Sequence, residues 1–221
     1  MSVDALVFDF DGLILDTESP IFEEWRAVFR GRGHELDIET WQHALGTFGA
    51  FDPCAHLSEL TGEAFDHEVL REEVRARNLR RCEAQPLLPG VRERVDEARA
   101  AGLRTAVASS STAAWVEGWL SRHGILHLFD TLCTRDHVAR VKPAPDLFLL
   151  AATRLGVAAA RCVVFEDSPN GIRAARAAGM RCVAIPNPVT CALPMEGADL
   201  VLRSLADRPL AEILVAVDGA G

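Results

Sequence analysis

The sequence lacks any long apolar run and any excess of positive charge. No stretch approaches the roughly 18 apolar residues of a membrane-spanning helix, and the N-terminus has neither a basic region nor a secretory cleavage site. A formal net charge of −9 without a basic stripe argues against nucleic acid and anionic membranes as partners. We therefore expect a cytoplasmic protein, a monomer, that acts on a small molecule.

Paired cysteines and several signature loops are also missing. The six cysteines include no Cys-x-x-Cys pair, so we expect reduced, packed thiols rather than a zinc site or a disulfide framework. His123 and His127 have the spacing of a zinc helix, but Gly124 lies between them. No Gly-x-Gly-x-x-Gly, Gly-x-Ser-x-Gly or phosphate-binding Gly-Lys-Ser/Thr motif occurs. Dinucleotide binding, esterase chemistry and nucleoside triphosphate hydrolysis therefore lack support.

Lysine is almost absent. Of the 23 basic residues, Lys142 is the one lysine and all others are arginine. Since arginine serves at every other basic position, Lys142 suggests a site that needs a compact ammonium, which binds a phosphate or a carboxylate as a point charge. The alternative is that its place is due to chance.

Two kinds of sequence make up the 221 residues. Residues 18–87 have helical spacing and no strand-like run, and they end in the breaker cluster Pro86-Leu87-Leu88-Pro89-Gly90. Residues 1–17 and 88–221 alternate apolar strands with helices, which indicates a parallel sheet with right-handed crossovers. We therefore predict an α/β core that carries an inserted all-helical segment.

Short apolar runs predict the strands of this core. The first run, Ala5-Leu6-Val7-Phe8, has no polar alternation, which is typical of a strand buried on both faces. Further strands are expected at residues 103–108, 131–133, 162–165, 182–185 and 199–202, and a last helix from about Ala206.

Polar side chains stand where these strands end or in the loops beside them. They are acids, hydroxyls and one ammonium: Asp9, Asp11, Ser109, Ser110, Ser111, Lys142, Glu166 and Asp167. Because the carboxyl ends of parallel strands share one edge, where ligands bind, we expect these groups to meet. Each segment alone has a structural explanation; Ser168, for example, is the expected N-cap of a helix that begins at Pro169. Four such loops at one edge favour a functional site.

The residue types indicate phosphoryl transfer. Two carboxylates about 4 Å apart repel each other by roughly 4 kcal/mol at an effective dielectric constant of about 20, so two ionised neighbours need a cation or a shared proton. Mg²⁺ suits carboxylates together with waters and a phosphate oxygen. One carboxylate can then act as a nucleophile and form an aspartyl-phosphate, and a second can act as general acid and general base. Ser109 can donate to a phosphoryl oxygen, and Lys142 can neutralise the transferring group.

Four ordered segments resemble the motifs of the haloacid dehalogenase superfamily, and most closely its β-phosphoglucomutase-like branch of phosphatases and mutases. They are residues 9–18, 108–111, 141–146 and 165–171. The resemblance covers nearly the whole chain. It implies a Rossmann-like core, formed by residues 1–17 and 88–221, with a helical cap at residues 18–87.

The same resemblance implies a role for each site residue. Asp9 is the implied nucleophile and Asp11 the implied general acid and base. Ser109, Ser110 and Lys142 are implied to bind the substrate phosphate. Mg²⁺ is implied to be held by the Asp9 carboxylate, the Asp11 backbone carbonyl and the Asp167 carboxylate. Glu166 is implied as a further metal ligand or as a support for the ligands.

Departures from the family's patterns distinguish its branches. The metal-free dehalogenases use a lone aspartate, which Asp11 and the Glu166-Asp167 pair argue against. Phosphonate-cleaving relatives need a cap lysine, and this cap has none. The mutases carry a basic pair on a cap loop and a lysine after the serine motif, where this chain has Leu45-Gly46-Thr47-Phe48-Gly49 and Thr112. We therefore predict a magnesium-dependent phosphatase for a small phosphomonoester such as a sugar phosphate; a mutase and a catalytically silent phosphate-binding protein are the alternatives.

We expect residues of the cap to determine which substrate binds. Candidates on or beside its glycine-rich loop are Gly46, Thr47, Phe48, Phe51 and His56. The alternative for the two phenylalanines is the cap core. Trp115 and Trp119, four residues apart, are interpreted as helix packing; the alternative is substrate recognition. We also predict that the cap closes over the substrate, with hinges at Asp16-Thr17 and at residues 86–90.

Overall fold

A parallel sheet with helices on both faces forms the larger part of the molecule. The computed structural model describes residues 3–42 and 51–219. The strands are β1 (Ala5–Phe8), β2 (Arg104–Ala108), β3 (Thr131–Cys133), β4 (Cys162–Glu166), β5 (Arg181–Ala184) and β6 (Leu200–Val201). The described helices are α1 (Glu18–Arg30), α2 (Ile38–Gln42), α3 (Pro53–Thr61), α4 (His67–Cys82), α5 (Val91–Ala100), α6 (Ala113–Arg122), α7 (Asp146–Leu155), α8 (Pro169–Ala177) and α9 (Leu210–Asp218).

The strand order places the first strand at the centre of the sheet. The order is β3-β2-β1-β4-β5-β6, and every described pairing is parallel. Val7 lies opposite Ala106 of β2 on one side and Val164 of β4 on the other. The carboxyl ends of β1, β2 and β4 are therefore neighbours. The predicted α/β fold with a parallel sheet is confirmed.

Each face of the sheet has its own hydrophobic cluster, which explains why all four residues of β1 are buried. Leu6 and Phe8 contact the cluster that includes side chains of α5, α6 and α9. Ala5 and Val7 belong to the cluster that includes side chains of α7 and α8. Successive side chains of a strand point to opposite faces, so a strand covered on both sides is apolar throughout.

The last helix begins four residues later than the sequence indicates. A short 3-10 turn occupies Leu205–Asp207, and Ser204 caps it by accepting a hydrogen bond from the Ala206 N–H. Arg208 is extended, and α9 begins after Pro209. A residue before proline is disfavoured in the helical region, which separates the turn from the helix.

Helices α1 to α4 lie within the range predicted for the cap and share a third hydrophobic cluster. The cap boundaries at residues 18 and 87 stay a prediction. Two backbone contacts join the segments on either side of this range: Leu15 bridges Leu87, and the Leu88 N–H donates to the Ile14 carbonyl at 3.0 Å. The two predicted hinge segments are thus held beside each other.

The cap candidates divide into a described and an undescribed group. Phe51 lies 6.4 Å from the Trp41 ring and 5.5 Å from the His56 ring, centroid to centroid, and packs against the third cluster. These contacts favour the cap-core interpretation of Phe51. Residues 43–50, which include Gly46, Thr47 and Phe48, lie outside the described residues.

Among the described helices, each is too short or too polar to span a membrane.

A buried glutamate connects two helices of the cap, and its removal should weaken the fold. Glu24 of α1 is 5% exposed and accepts hydrogen bonds from Arg77, at 2.7 Å, and is paired with Arg81 of α4. Glu24→Gln should lower the free energy of unfolding by about 2 kcal/mol, since hydrogen bonds to charged groups are lost from a buried site. Urea unfolding measures this loss.

Glu73→Gln provides the matched control. Its side chain is 59% exposed and lies 3.7 Å from Arg77, so the same change should cost less than about 0.5 kcal/mol. Equal losses in the two variants would contradict the role given to Glu24.

Candidate active site

Sheet pairing that continues past the strands fixes the backbone at the site. The Asp9 N–H donates to the Phe165 carbonyl of β4, and the Ser109 N–H donates to the Cys133 carbonyl of β3, both at 2.9 Å. Asp9 and Ser109 are therefore placed by the neighbouring strands rather than by flexible loops. The first residues beyond three adjacent strands meet at one edge, as predicted.

Gly12 makes the close approach of the next loop possible. Its φ is +79°, and a Cβ here would lie 2.3 Å from Asn187 Nδ2 and 2.6 Å from Asp167 Oδ2. Both the left-handed backbone and the crowding require glycine. The turn that follows is closed by the Gly12 N–H, which donates to the Leu15 carbonyl at 2.8 Å.

Three buried carboxylates and one ammonium form the centre of the site. Asp9, Glu166 and Asp167 each offer a carboxylate oxygen, and these oxygens lie within 4.8 Å of one another. Lys142 Nζ donates to Asp9 Oδ1 and, at 2.6 Å, to Glu166 Oε1. With the acids ionised, one ammonium leaves two negative charges uncompensated in a buried site. A divalent cation that prefers oxygen ligands fits this deficit in charge and in ligand type.

The pKa values of the cluster reflect the same deficit. Burial raises the pKa of Asp9 to about 7 against the opposing charge of Lys142, and repulsion from Glu166 and Asp11 adds to the rise. Burial, followed by repulsion from Glu166 and Asp9, raises the pKa of Asp167 well above its usual range. Burial would lower the pKa of Lys142, but Asp9 and Glu166 raise it above its ordinary value. Lys142 therefore stays protonated, and the raised pKa values of Asp9 and Asp167 show that burial opposes their negative charge.

Both oxygens of Glu166 are occupied by protein donors. Oε1 accepts from Lys142, and Oε2 accepts from the Asp167 N–H at 3.0 Å, the Ser168 N–H at 3.1 Å and the Ser168 hydroxyl at 3.0 Å. Ser168 also caps α8 by accepting from the Gly171 N–H at 3.1 Å, as predicted. The contacts favour Glu166 as a support for Lys142 over Glu166 as a metal ligand.

Asp11 is held apart from this cluster by its own set of donors. Thr17 Oγ1 and Trp115 Nε1 donate to Oδ1, at 2.9 and 2.8 Å. Ser111 Oγ and Ser109 Oγ donate to Oδ2, at 2.6 and 3.2 Å. One buried acid cluster thus stands beside a second carboxylate that is oriented by four side chains.

Comparison with known proteins places this arrangement in a family. Residues 3–179 match the haloacid dehalogenase-like hydrolases. The chain belongs to this family. Its predicted membership is thereby confirmed, and with it the prediction of a hydrolase.

Individual relatives cover almost the whole of this haloacid dehalogenase-like hydrolase. The protein YhcW of Bacillus subtilis (strain 168) is 43% identical over 212 residues, 96% of each chain. The fructose-1-phosphate phosphatase YqaB of Escherichia coli (strain K12) is 40% identical over 186 residues, 82% of this chain and 95% of YqaB. The crystal structure of CbbY from Rhodobacter sphaeroides in complex with phosphate is similar with a TM-score of 0.73, 30% identity and coverage of 93% of this chain and 96% of that chain.

The structure shows the surroundings of two further side chains of this hydrolase, Ser110 and Asn187. The Ser110 hydroxyl is buried and has no hydrogen-bond partner within residues 3–42 and 51–219, so its predicted contact with phosphate stays a prediction. Asn187, which the sequence reasoning missed, donates through Nδ2 to Asp167 Oδ2 at 2.7 Å. Its own Oδ1 accepts from the Val189 and Thr190 N–H groups, at 2.8 and 3.0 Å. Asn187 follows β5 at the same edge of the sheet, and this position in the sequence could have indicated that it belongs to the site.

The contacts of two more residues with Asp11 were missed. Ser111 was one of three adjacent serines, and the sequence did not indicate which hydroxyl would reach Asp11. Trp115 was interpreted as helix packing alone. Its ring does pack edge-on against Trp119, at 5.5 Å between centroids and 80° between planes, but its indole N–H donates to Asp11.

Proposed function

We propose that this protein is a magnesium-dependent phosphatase that hydrolyses a small phosphomonoester, such as a sugar phosphate, through an aspartyl-phosphate on Asp9. The observation that carries the proposal is the buried cluster of three carboxylates around Lys142, beside a separately oriented carboxylate, Asp11. The name of YqaB, a fructose-1-phosphate phosphatase, and the phosphate bound to CbbY support the substrate class.

The proposed ligands of the magnesium ion are the carboxylates of Asp9 and Asp167 and the backbone carbonyl of Asp11. Asn187 orients Asp167 through its 2.7 Å hydrogen bond. When bound, Mg²⁺ would neutralise charge on the transferring phosphoryl group and orient it towards the nucleophile. Glu166 keeps the Lys142 ammonium beside Asp9, where it adds a second positive charge.

In the first proposed step, a carboxylate oxygen of Asp9 attacks phosphorus. The bond from Asp9 to phosphorus forms as the ester bond to the substrate oxygen breaks, and the leaving oxygen takes a proton from the carboxylic acid of Asp11. Ser109 and Lys142 stabilise charge on the phosphoryl oxygens. The step yields the free alcohol, an aspartyl-phosphate and ionised Asp11.

In the second proposed step, water takes the place of the alcohol. Asp11 accepts a proton from the water as its oxygen bonds to phosphorus, and the bond from phosphorus to Asp9 breaks. Inorganic phosphate leaves, and both aspartates return to their starting states. The sum of the two steps is the hydrolysis of one ester by one water molecule.

The mutase alternative has less support at the position after the serine motif. Thr112 occupies the place of the mutases' lysine, and its hydroxyl caps α6 by accepting from the Trp115 N–H at 3.3 Å. A second phosphate of a bisphosphate intermediate would find no cation at this position. Incubation of a hexose 1-phosphate with a bisphosphate primer tests the alternative: formation of the 6-phosphate without release of inorganic phosphate would overturn the proposal of a phosphatase.

Removal of the metal provides the direct test of the proposal. The protein with Mg²⁺ should release phosphate from p-nitrophenyl phosphate, and EDTA should abolish the release because the uncompensated carboxylates repel a phosphate dianion. Excess Mg²⁺ should restore it. Turnover that survives EDTA would contradict metal dependence, and absence of turnover across a panel of sugar and polyol phosphates would favour the silent binding protein.

A further inference from the structure

The indole N–H of Trp115 contacts the proposed general acid and base directly. Trp115 Nε1 lies 2.8 Å from Asp11 Oδ1, although 104 residues separate the two in sequence. The ring is half-buried, so this hydrogen bond is not needed merely to satisfy a polar atom in the protein core. A direct hydrogen bond to Asp11 indicates that Trp115 affects the chemistry of this carboxyl group.

The position of Trp115 is fixed by the start of α6. Thr112 caps this helix, and the Ala113 N–H donates to Asp136 Oδ2 at 2.7 Å. The buried ring of Trp119, one helical turn further on, packs edge-on against Trp115. Helix capping and aromatic packing therefore fix the indole to the part of the molecule that the sheet and its helices form.

The other donor to Oδ1 belongs to a different part of the molecule. Thr17 is the residue that precedes α1 and lies in one of the predicted hinges. If the cap moves, Thr17 moves with the hinge, whereas Trp115 stays with the sheet and its helices. Trp115 is thus the donor that can keep the Asp11 carboxyl group oriented in more than one position of the cap.

The chemistry of the indole also distinguishes the two oxygens of Asp11. An indole N–H can donate but not accept, so it favours at Oδ1 the carbonyl oxygen of the acid form, which is the stronger acceptor. The hydroxyls of Ser109 and Ser111 can turn and either donate to Oδ2 or accept from it. The acid form of Asp11 can keep all its hydrogen bonds if it carries its proton on Oδ2.

We propose that Trp115 is a positioning residue, which holds Asp11 so that Oδ2 is the oxygen that gives and takes the proton. This inference rests on the phosphatase function proposed above. Trp115 touches neither phosphorus nor the nucleophile in this assignment; it acts through Asp11 alone. Trp115 thus has two roles: it packs against Trp119, as predicted, and it holds Asp11.

Substrates with different leaving groups separate this role from a structural one. An alkyl phosphomonoester needs a proton on its departing oxygen, whereas p-nitrophenolate departs without one. Trp115→Phe keeps an aromatic ring and removes the N–H. It should lower kcat/KM for an alkyl phosphate from the panel by about tenfold or more and change that for p-nitrophenyl phosphate by less than about threefold. Because kcat/KM reports steps up to departure of the alcohol, the later hydrolysis of the aspartyl-phosphate does not mask the difference.

Trp119→Phe is the matched control, since it makes the same change in the neighbouring ring and phenylalanine keeps an aromatic ring against Trp115. It should leave the ratio of the two kcat/KM values as in the wild type. In an Asp11→Asn background, Trp115→Phe should not change the ratio further. Equal losses for both substrates, or no loss for either, would overturn the proposal.

Folding and the proposed function are checked separately. Trp115→Met, which keeps a long apolar side chain without a donor, replaces Trp115→Phe if that variant does not fold. Failure of the wild type to hydrolyse either substrate refutes the phosphatase function, whereas failure of the predicted ratio in an active wild type refutes the role of Trp115 alone.

Discussion

Asp9→Asn should reduce the kcat for p-nitrophenyl phosphate by about 10⁴-fold or more, because a carboxamide oxygen does not act as the nucleophile. The side chain keeps its size and can still accept a hydrogen bond from Lys142, so the fold should be retained. Phosphate release in single- and multiple-turnover assays measures the loss of activity. Thermal unfolding measures the integrity of the fold.

Asp16→Asn provides the matched control for this substitution. Asp16 belongs to the same acidic segment, and its Oδ1 accepts from the Ser19 N–H at 2.9 Å at the start of α1. The asparagine side-chain oxygen can accept the same hydrogen bond, so activity should stay within a few-fold of the wild type. Comparable loss in both variants would point to general electrostatics, and substantial activity in Asp9→Asn would place the nucleophile elsewhere.

The position of the site could be predicted from the sequence because it depends on the backbone. A buried apolar run such as Ala5 to Phe8 becomes the centre of a parallel sheet, and whatever follows it lies at the ligand-binding edge. The meeting of Asp9, Lys142 and Asp167 follows from this topology. The helical character of the segment after β1 could be predicted for the same kind of reason, from its periodicity.

The partners of these side chains could not be predicted, because they depend on how individual loops pack. Glu166 is the last residue of β4, and its second oxygen accepts from the N–H groups of the two residues after it. Trp115 has the four-residue spacing of a packing pair with Trp119, and spacing does not indicate where the indole N–H points. Asn187 reaches Asp167 only through the turn after β5.

Gly171→Ala should have the second large effect, and it acts on the support of the site. A Cβ on Gly171 would lie 1.8 Å from Glu166 Cδ and Oε1 and 2.2 Å from Oε2. The Glu166 carboxylate would have to leave its place, and it would lose its bonds to Lys142 and Ser168. We expect the free energy of unfolding to fall by about 3 kcal/mol, the cost of breaking a buried ion pair. Activity should fall as well, since Lys142 loses one of its two partners.

Gly118→Ala isolates the cause of this loss. Gly118 lies within α6, and a Cβ there meets nothing within 4 Å. The substitution should raise the free energy of unfolding by up to about 1 kcal/mol, because alanine has the higher helix propensity. Both variants add the same methyl group to a helical glycine, so the difference between their unfolding free energies in urea reports the space around Glu166. Similar stability and activity in the two variants would mean that Glu166 is free to move and does not hold Lys142 at Asp9.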